Sequence, residues 1–189
     1  MAKAKGSTLR ATLGFLDRHP RPGTREAVLA RLEPELRRTV EGAEPTAELP
    51  FEVALALWRA ADALLAGEDP GWVERAGADS IESIGMRLYG GILRKASPIE
   101  FLTQPVKLFR LYYHSGDMEV VEQAPGRAVL RLVGFDQPDR LFCRRQAGGL
   151  RRALELAGGR DASVRHVRCE IEGDAFCEWE LRWDEAERG

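Results

Sequence analysis

The stretch DMEVVEQAPGRAVLRLV, residues 117–133, decides how this chain is read, because the spacing of apolar residues changes there from helical to alternating. Met118, Val120 and Val121, then Ala128, Leu130 and Leu132, stand on either side of Pro125-Gly126, a pattern that predicts two strands joined by a tight turn. Everything before it reads as helix. Leu9, Leu13, Phe15 and Leu16 predict a helix over Thr8–Asp17, ended by His19-Pro20-Arg21-Pro22-Gly23. Thr24 opens a second, with Val28, Leu29 and Leu32, which Leu36 to Val40 continue beyond Pro34; the polar run from Glu41 to Leu49 reads as a loop. Val53, Leu55, Leu57, Trp58, Ala61, Leu64 and Leu65 predict a mostly buried helix over Phe51–Leu65, and a further helical pattern runs from Trp72 to Leu93. Ser97-Pro98-Ile99-Glu100 is a capped helix start, and Pro105 predicts a kink, or two short helices, before Tyr113.

After the hairpin the pattern is helix, then hairpin again. A helix is expected from about Phe142 to Leu156, ended by Gly158-Gly159, with Cys143 in its first turn. Strands over Ser163–Ile171 and Phe176–Trp183 enclose Glu172-Gly173-Asp174. The fold class is therefore α+β: N-terminal helices packed on an antiparallel sheet of about four strands, with one helix between two hairpins. One domain over 1–189 is expected, helical over about 7–115 and sheet-containing over about 116–184.

Composition excludes several functions. With 28 Lys+Arg against 30 Asp+Glu, the net charge of -2 gives no field to draw in nucleic acid. No run approaches the roughly 20 apolar residues of a membrane span, and the start lacks a secretory pattern, so a cytoplasmic protein is expected. P-loop, dinucleotide, HExxH and GxSxG motifs are absent. Arg144-Arg145 and Arg151-Arg152 read as the outer face of the last helix.

The three cysteines raise the main chemical question. Cys143, His166, Cys169 and Cys177 follow C-x22-H-x2-C-x7-C, and three thiolates with one imidazole make a complete tetrahedral zinc shell. His166 and Cys169 are three apart, so a regular strand would turn them to opposite faces, and a bulge or an irregular strand is required. The competing reading is ordinary buried thiols, with Val167, Cys169 and Ile171 on the core face and His166 in solvent. A catalytic thiol has no further support. Separately, Phe101, Leu102, Leu108, Phe109, Leu111, Tyr112 and Tyr113 form an apolar stripe that suits core packing or a ligand pocket.

Phe142-Cys143, Gly158-Gly159, Cys169-x3-Gly173-Asp174-x2-Cys177 and the strand ending at Trp183 resemble the 4-vinyl reductase domain family, small-molecule-binding domains related in fold to the Bet3-type trafficking subunits. Its sensor members hold zinc with cysteine, glutamate and two more cysteines, which the resemblance carries onto Cys143, His166, Cys169 and Cys177 with histidine in the acidic place. From Lys5-Gly6 through Ser97-Pro98 and Tyr112-Tyr113-x-Ser115-Gly116 to Trp183, the chain also resembles a myxobacterial paralogous family of unknown function, which implies a bacterial protein. A third likeness is to the haem nitric-oxide-binding domains, whose Tyr-x-Ser-x-Arg motif clamps the haem propionates. The chain reads Tyr113-His114-Ser115-Gly116-Asp117, and an aspartate there would repel a propionate, so haem is disfavoured.

Together these readings imply a non-enzymatic ligand-binding or sensory module. Its small apolar ligand would lie against Phe101, Leu108, Tyr112, Phe142 and Trp179, with a structural zinc at the four Cys and His positions. A protein–protein interaction scaffold without ligand is the alternative, and a haem or gas sensor the third reading. The resemblance also implies a homodimer.

Overall fold

The computed structural model describes residues 2–93, 97–102 and 105–184, with side chains described at all of these except 89, 91–93 and 105–108. The chain opens with β1 (Lys3–Lys5), α1 (Gly6–Asp17), α2 (Thr24–Leu29), α3 (Pro34–Gly42), β2 (Glu48–Pro50) and α4 (Phe51–Leu65). The loop expected over Glu41–Leu49 is corrected at its end, since β2 pairs antiparallel with β1, Ala4 opposite Leu49. Three residues are too few to show a period of two, and the partner strand lies far away in sequence. The helix α4 lies where its spacing places it, with Phe51, Leu57, Trp58, Ala61 and Leu65 fully buried. The Trp58 indole N–H donates to the Thr12 hydroxyl at 3.1 Å, which satisfies two buried polar groups and ties α4 to α1.

Trp72 to Leu93 is helical throughout but not uniform. It divides into α5 (Trp72–Ser80), a π-helical turn over Ile81–Gly85 and α6 (Met86–Leu93). Next come α7 (Pro98–Leu102) and α8 (Pro105–Tyr112), with Pro105 in the first turn of α8; the junction at 103–104 lies outside the described residues. Ser97 caps α7 as its position implies, its hydroxyl accepting the Glu100 N–H at 3.2 Å.

The rest of the chain is β3 (Asp117–Ala124), β4 (Arg127–Val133), α9 (Arg140–Leu156), β5 (Arg160–Arg168) and β6 (Cys177–Asp184), so the fold class is α+β. The four strands form one antiparallel sheet in the order β3-β4-β6-β5. Gly126 takes φ +71°, the left-handed conformation that a Pro-Gly turn gives its glycine. A bulge between Val120 and Glu122 absorbs the adjacent pair Val120-Val121. On the inner face Ala128, Leu130, Leu132, Cys177, Trp179 and Leu181 are buried. On the outer face Arg127, Arg131 and Arg165 pair with Glu178 and Glu180, and one of these contacts, Arg131 to Glu178, is 2.9 Å long. Each such pair adds little stability, but opposite charges alternate across the strands and keep this face solvated.

The helix α9 packs against both α5 and the sheet. Its crossing with α5 is made by glycines. A Cβ at Gly148 would lie 1.9 Å from the Glu74 carbonyl oxygen, and one at Gly77 2.1 Å from the Arg145 carbonyl oxygen. Backbone meets backbone there, and any side chain at either position would part the helices. Among the described residues, no helix is long and apolar enough to cross a membrane.

Candidate ligand cavity and metal centre

The close α5–α9 crossing forms one side of an apolar cavity. Gly77, Ser80, Ile81, Gly149, Leu150 and Ala153 line that side. Phe101 of α7, Phe109 and Tyr112 of α8, Tyr113, Met118 of β3 and Thr8 of α1 line the other. The cavity leaves about 60 Å³ for the centres of water-sized molecules, and about 610 Å³ of atom-free space when its open mouth is counted. The inner part therefore seats a small molecule or the end of a larger one, while the whole falls in the size range of ligand sites.

One lining residue is ionic. Arg145 is 3% exposed, and its two terminal nitrogens are buried with no hydrogen-bond partner. Burial pulls it below the usual arginine range, opposed by Tyr113, Tyr112 and Asp79, yet an arginine stays charged in a protein. Its guanidinium carbon lies 5.1 Å from the centre of the Trp58 ring, a cation–π contact. The expectation that Arg144-Arg145 and Arg151-Arg152 form an outer face is thus corrected at Arg145. On a helix covered on two sides, even a charged position is turned inward. Arg144 does reach outward, to Glu74 at 2.7 Å, and Arg152 to Glu82 at 2.8 Å. Burial also raises the Tyr113 phenol, which stays protonated beside Arg145 and Thr8.

Of the residues read as a ligand site, Phe101 and Tyr112 line this cavity. Leu108 belongs to α8, and its side chain lies outside the described residues. Phe142 and Trp179 are fully buried elsewhere. Phe142 stacks on Phe135 at 4.5 Å and meets Phe51 and Tyr113 edge-on, one turn before Arg145 on α9, and does not line the cavity. Trp179 lies flat on His166 at 5.0 Å and donates its indole N–H to the Cys143 carbonyl at 3.3 Å, so it supports the cysteine cluster. Arg145, Thr8 and the glycines of the crossing were not picked out from the sequence, where an arginine pair or a glycine pair carries no signal of burial.

The four Cys and His residues converge. Their ligating atoms, one each from Cys143, His166, Cys169 and Cys177, lie within 4.8 Å of one another. Cys143 comes from the first turn of α9, whose cap is Asp139, its carboxylate accepting the Leu141 N–H at 2.8 Å. Cys177 opens β6. The required irregularity is present, because the β5–β6 register shifts between His166 and Arg168 and the strand then ends, so that Cys169 precedes a 3-10 turn over Glu170–Glu172. The pairing of Arg168 with Glu178 brings Cys169 up to Cys177 just past the end of the β5–β6 ladder, while on its other side Cys177 pairs with Leu132 of β4. The core-thiol reading had placed Val167 and Ile171 inside and His166 in solvent; the shift exposes Val167 and Ile171 by 39% and 41% and lays His166 on Trp179.

The cluster suits a soft cation. The sulfurs of Cys143 and Cys177 are 3.6 Å apart, and a tetrahedron of bonds about 2.3 Å long sets its corners about 3.8 Å apart. The Cys143 hydrogen bond pulls Cys177 well below the ordinary thiol range, against burial and with help from His166 and the Glu170 N–H. The same bond, with burial and the neighbouring sulfurs, pushes Cys143 up, so one negative charge is shared by the pair. Burial raises Cys169, opposed by the N–H groups of Ile171 and Glu172. Backbone donors aimed at two of the sulfurs are the outer layer that a thiolate–metal centre uses. The His166 Nε2 is buried with no hydrogen-bond partner, which leaves its lone pair for the same cation.

No protein-family model matches the chain, and no curated protein does. Solved structures do. The chain is similar to a Fe(II) unliganded H-NOX protein from K. algicida over 98% of its own length and 99% of the other, at 14% identity and a TM-score of 0.71. It is similar to a Cs H-NOX mutant carrying the unnatural amino acid 4-cyano-L-phenylalanine (97% and 98% covered, 12% identity, TM-score 0.67). It is also similar to an oxygen-binding H-NOX domain related to soluble guanylate cyclases (98% and 100% covered, 11% identity, TM-score 0.64). This corrects the step that disfavoured haem. That step placed Asp117 against a propionate, whereas Asp117 begins β3 in an ion pair with Arg110 at 2.5 Å and does not line the cavity. Toward haem the cavity offers apolar walls, the Arg145 cation for a propionate and, for iron, the Tyr112 and Tyr113 hydroxyls and the Met118 thioether; the described lining contains no histidine. At 11 to 14% identity the likeness establishes the architecture: this chain folds as H-NOX domains do.

Proposed function

We propose that the chain is a non-enzymatic sensory module that binds one small, largely apolar molecule in the cavity between α5, α8 and α9. The observation that carries this reading is the cavity, held open beside a helix crossing that cannot close further and walled by aromatic residues. The H-NOX fold supports it, as do the sequence resemblances to the 4-vinyl reductase domains and the myxobacterial family. A structural zinc at Cys143, His166, Cys169 and Cys177 belongs to the proposal, with four protein ligands and no open position for water. It ties α9 to the β5–β6 end of the sheet. Since α9 also carries Arg145, Gly149 and Ala153 of the cavity, a ligand that moves α9 loads the metal centre as well. A haem-bearing gas sensor is the second reading, favoured by the fold.

Absorbance spectra and denaturing mass spectrometry of the chain, purified without a metal-affinity tag, separate the readings. A bound organic molecule without a Soret band supports the apolar-ligand reading. A Soret band establishes the haem reading. A preparation that holds nothing, and whose melting temperature no small apolar molecule raises, leaves an interaction scaffold. Size-exclusion chromatography with light scattering on the same sample checks the homodimer.

A further inference from the structure

The ligand's chemistry is narrowed by the charge in the cavity. Arg145 is 97% buried and lines the cavity; its terminal nitrogens make no close hydrogen bond, and the neutral Tyr113 hydroxyl is the polar group beside them. No Asp or Glu is among the described residues that line the cavity with it. Asp79 is the carboxylate that acts on it, and Arg18 already holds both Asp79 oxygens, at 2.7 and 2.8 Å. On the same helix Arg144 is paired with Glu74 and Arg152 with Glu82 and Glu155. Trp58 brings the face of its ring to within 5.1 Å of the guanidinium carbon and offers no acceptor oxygen to its N–H groups. The guanidinium edge presents parallel donors in the spacing of a carboxylate's two oxygens. A second polar atom belongs to the same cavity: Thr8 Oγ1, buried beside the same Tyr113 hydroxyl and making no close hydrogen bond. Ser80, Gln146 and the Tyr112 and Tyr113 hydroxyls add neutral polar groups, and the rest of the wall is apolar, with Ile81, Phe101, Phe109, Met118 and Leu150 among it.

We propose that Arg145 anchors the carboxylate of an amphipathic ligand, an apolar body ending in an acid group, and that the cavity selects acids over their neutral analogues. This rests on the cavity being the ligand site. The acid end sits against Arg145 and Thr8, and the apolar body lies against Phe101 and Phe109. A buried cation kept without a partner loses stability in the empty protein and regains it when an anion arrives, so discrimination comes from the charge and not from wall area. The shared chemistry has two sources, a simple carboxylic acid or a porphyrin propionate.

Two pairs of probes decide. Cis-parinaric acid and its methyl ester are titrated by fluorescence, and haemin and its dimethyl ester by absorbance, against the wild-type chain and Arg145→Gln at pH 7.5. In at least one pair the acid is expected to bind wild type tenfold or more tighter than the ester. Arg145→Gln is expected to remove that preference, bringing acid and ester affinities within twofold of each other. Preference in the parinaric pair assigns a simple acid, and preference in the haemin pair a porphyrin. Equal binding of acid and ester to wild type in both pairs overturns the anchor and leaves the cavity reading standing. Retained acid preference in a folded Arg145→Gln overturns it too. Should that variant not fold, the acid-to-ester ratio on wild type alone decides. If neither acid nor ester binds in either pair, the cavity reading and the anchor fall together.

Discussion

Gly148→Ala should lower the stability of the chain by about 3 kcal/mol or more, the upper end of overpacking costs, with a fall in melting temperature of roughly 6 to 12 °C. The methyl group would lie 1.9 Å from the Glu74 carbonyl oxygen and 2.6 Å from its carbon. Both atoms are backbone within α5, so no side-chain rotation relieves the overlap. Against this stands the helix propensity of alanine over glycine, about 1 kcal/mol, which the clash exceeds. Gly42→Ala is the control, since Gly42 ends α3 with nothing within 4 Å of an added Cβ. There only the propensity gain remains, and the melting temperature should hold or rise. Thermal melts followed by circular dichroism compare the two. A Gly148→Ala melt within about 2 °C of wild type would show that α5 and α9 do not cross on bare backbone. Because Arg145, Gly149 and Ala153 lie on the displaced face, the same variant should also weaken any cavity ligand.

The second large effect concerns the proposed metal. Purified wild type is expected to carry about one zinc per chain by elemental analysis, and Cys177→Ser none. Chelation should lower the melting temperature by roughly 8 to 16 °C, since a site with free metal at a thousand times its dissociation constant contributes about 4 kcal/mol. Apparent zinc affinities of thiolate-rich sites reach that regime readily. The loss should be local first: amide exchange is expected to quicken around Cys143 and from His166 to Cys177, where three chain segments meet at the cluster, while α4 stays protected by its own buried face. Three inert core thiols would give a different result: no zinc, no response to chelator, and for Cys177→Ser only the ordinary cost of a buried hydroxyl.

Much of this architecture is legible from spacing alone. The helix at Phe51–Leu65, the break at Pro105, the Pro125-Gly126 turn and the final helix and hairpin each rest on a local signal, a period or a breaker, that acts within a few residues. The convergence of Cys143, His166, Cys169 and Cys177 is legible as well, including the irregular strand that His166 and Cys169 require. What escapes are features decided by contacts distant in sequence. The pairing of β1 with β2 joins residues more than forty positions apart through three-residue strands. The burial of Arg145 follows from α9 being covered on two sides, which a hydrophilic-looking stretch such as Arg144-Arg145-Gln146 conceals. The five-residue motif at Tyr113–Asp117 misleads about haem for a related reason: its meaning depends on its place in the fold, and Asp117 does not line the cavity.

The π-helical turn at Ile81–Gly85 has a consequence for the length of the chain. Such a turn is equivalent to one extra residue in an α-helix, and each residue advances the phase by about 100°. The faces of α5 and α6 are therefore set against each other by a count of residues, and Ser80 and Ile81, at the junction, line the cavity. Deleting one residue there, such as Ser83, would restore a regular helix and swing everything beyond it by that angle, although no buried side chain is removed and composition barely changes. Homologous chains that share this pocket should thus tolerate substitution in the turn far better than a change of its length.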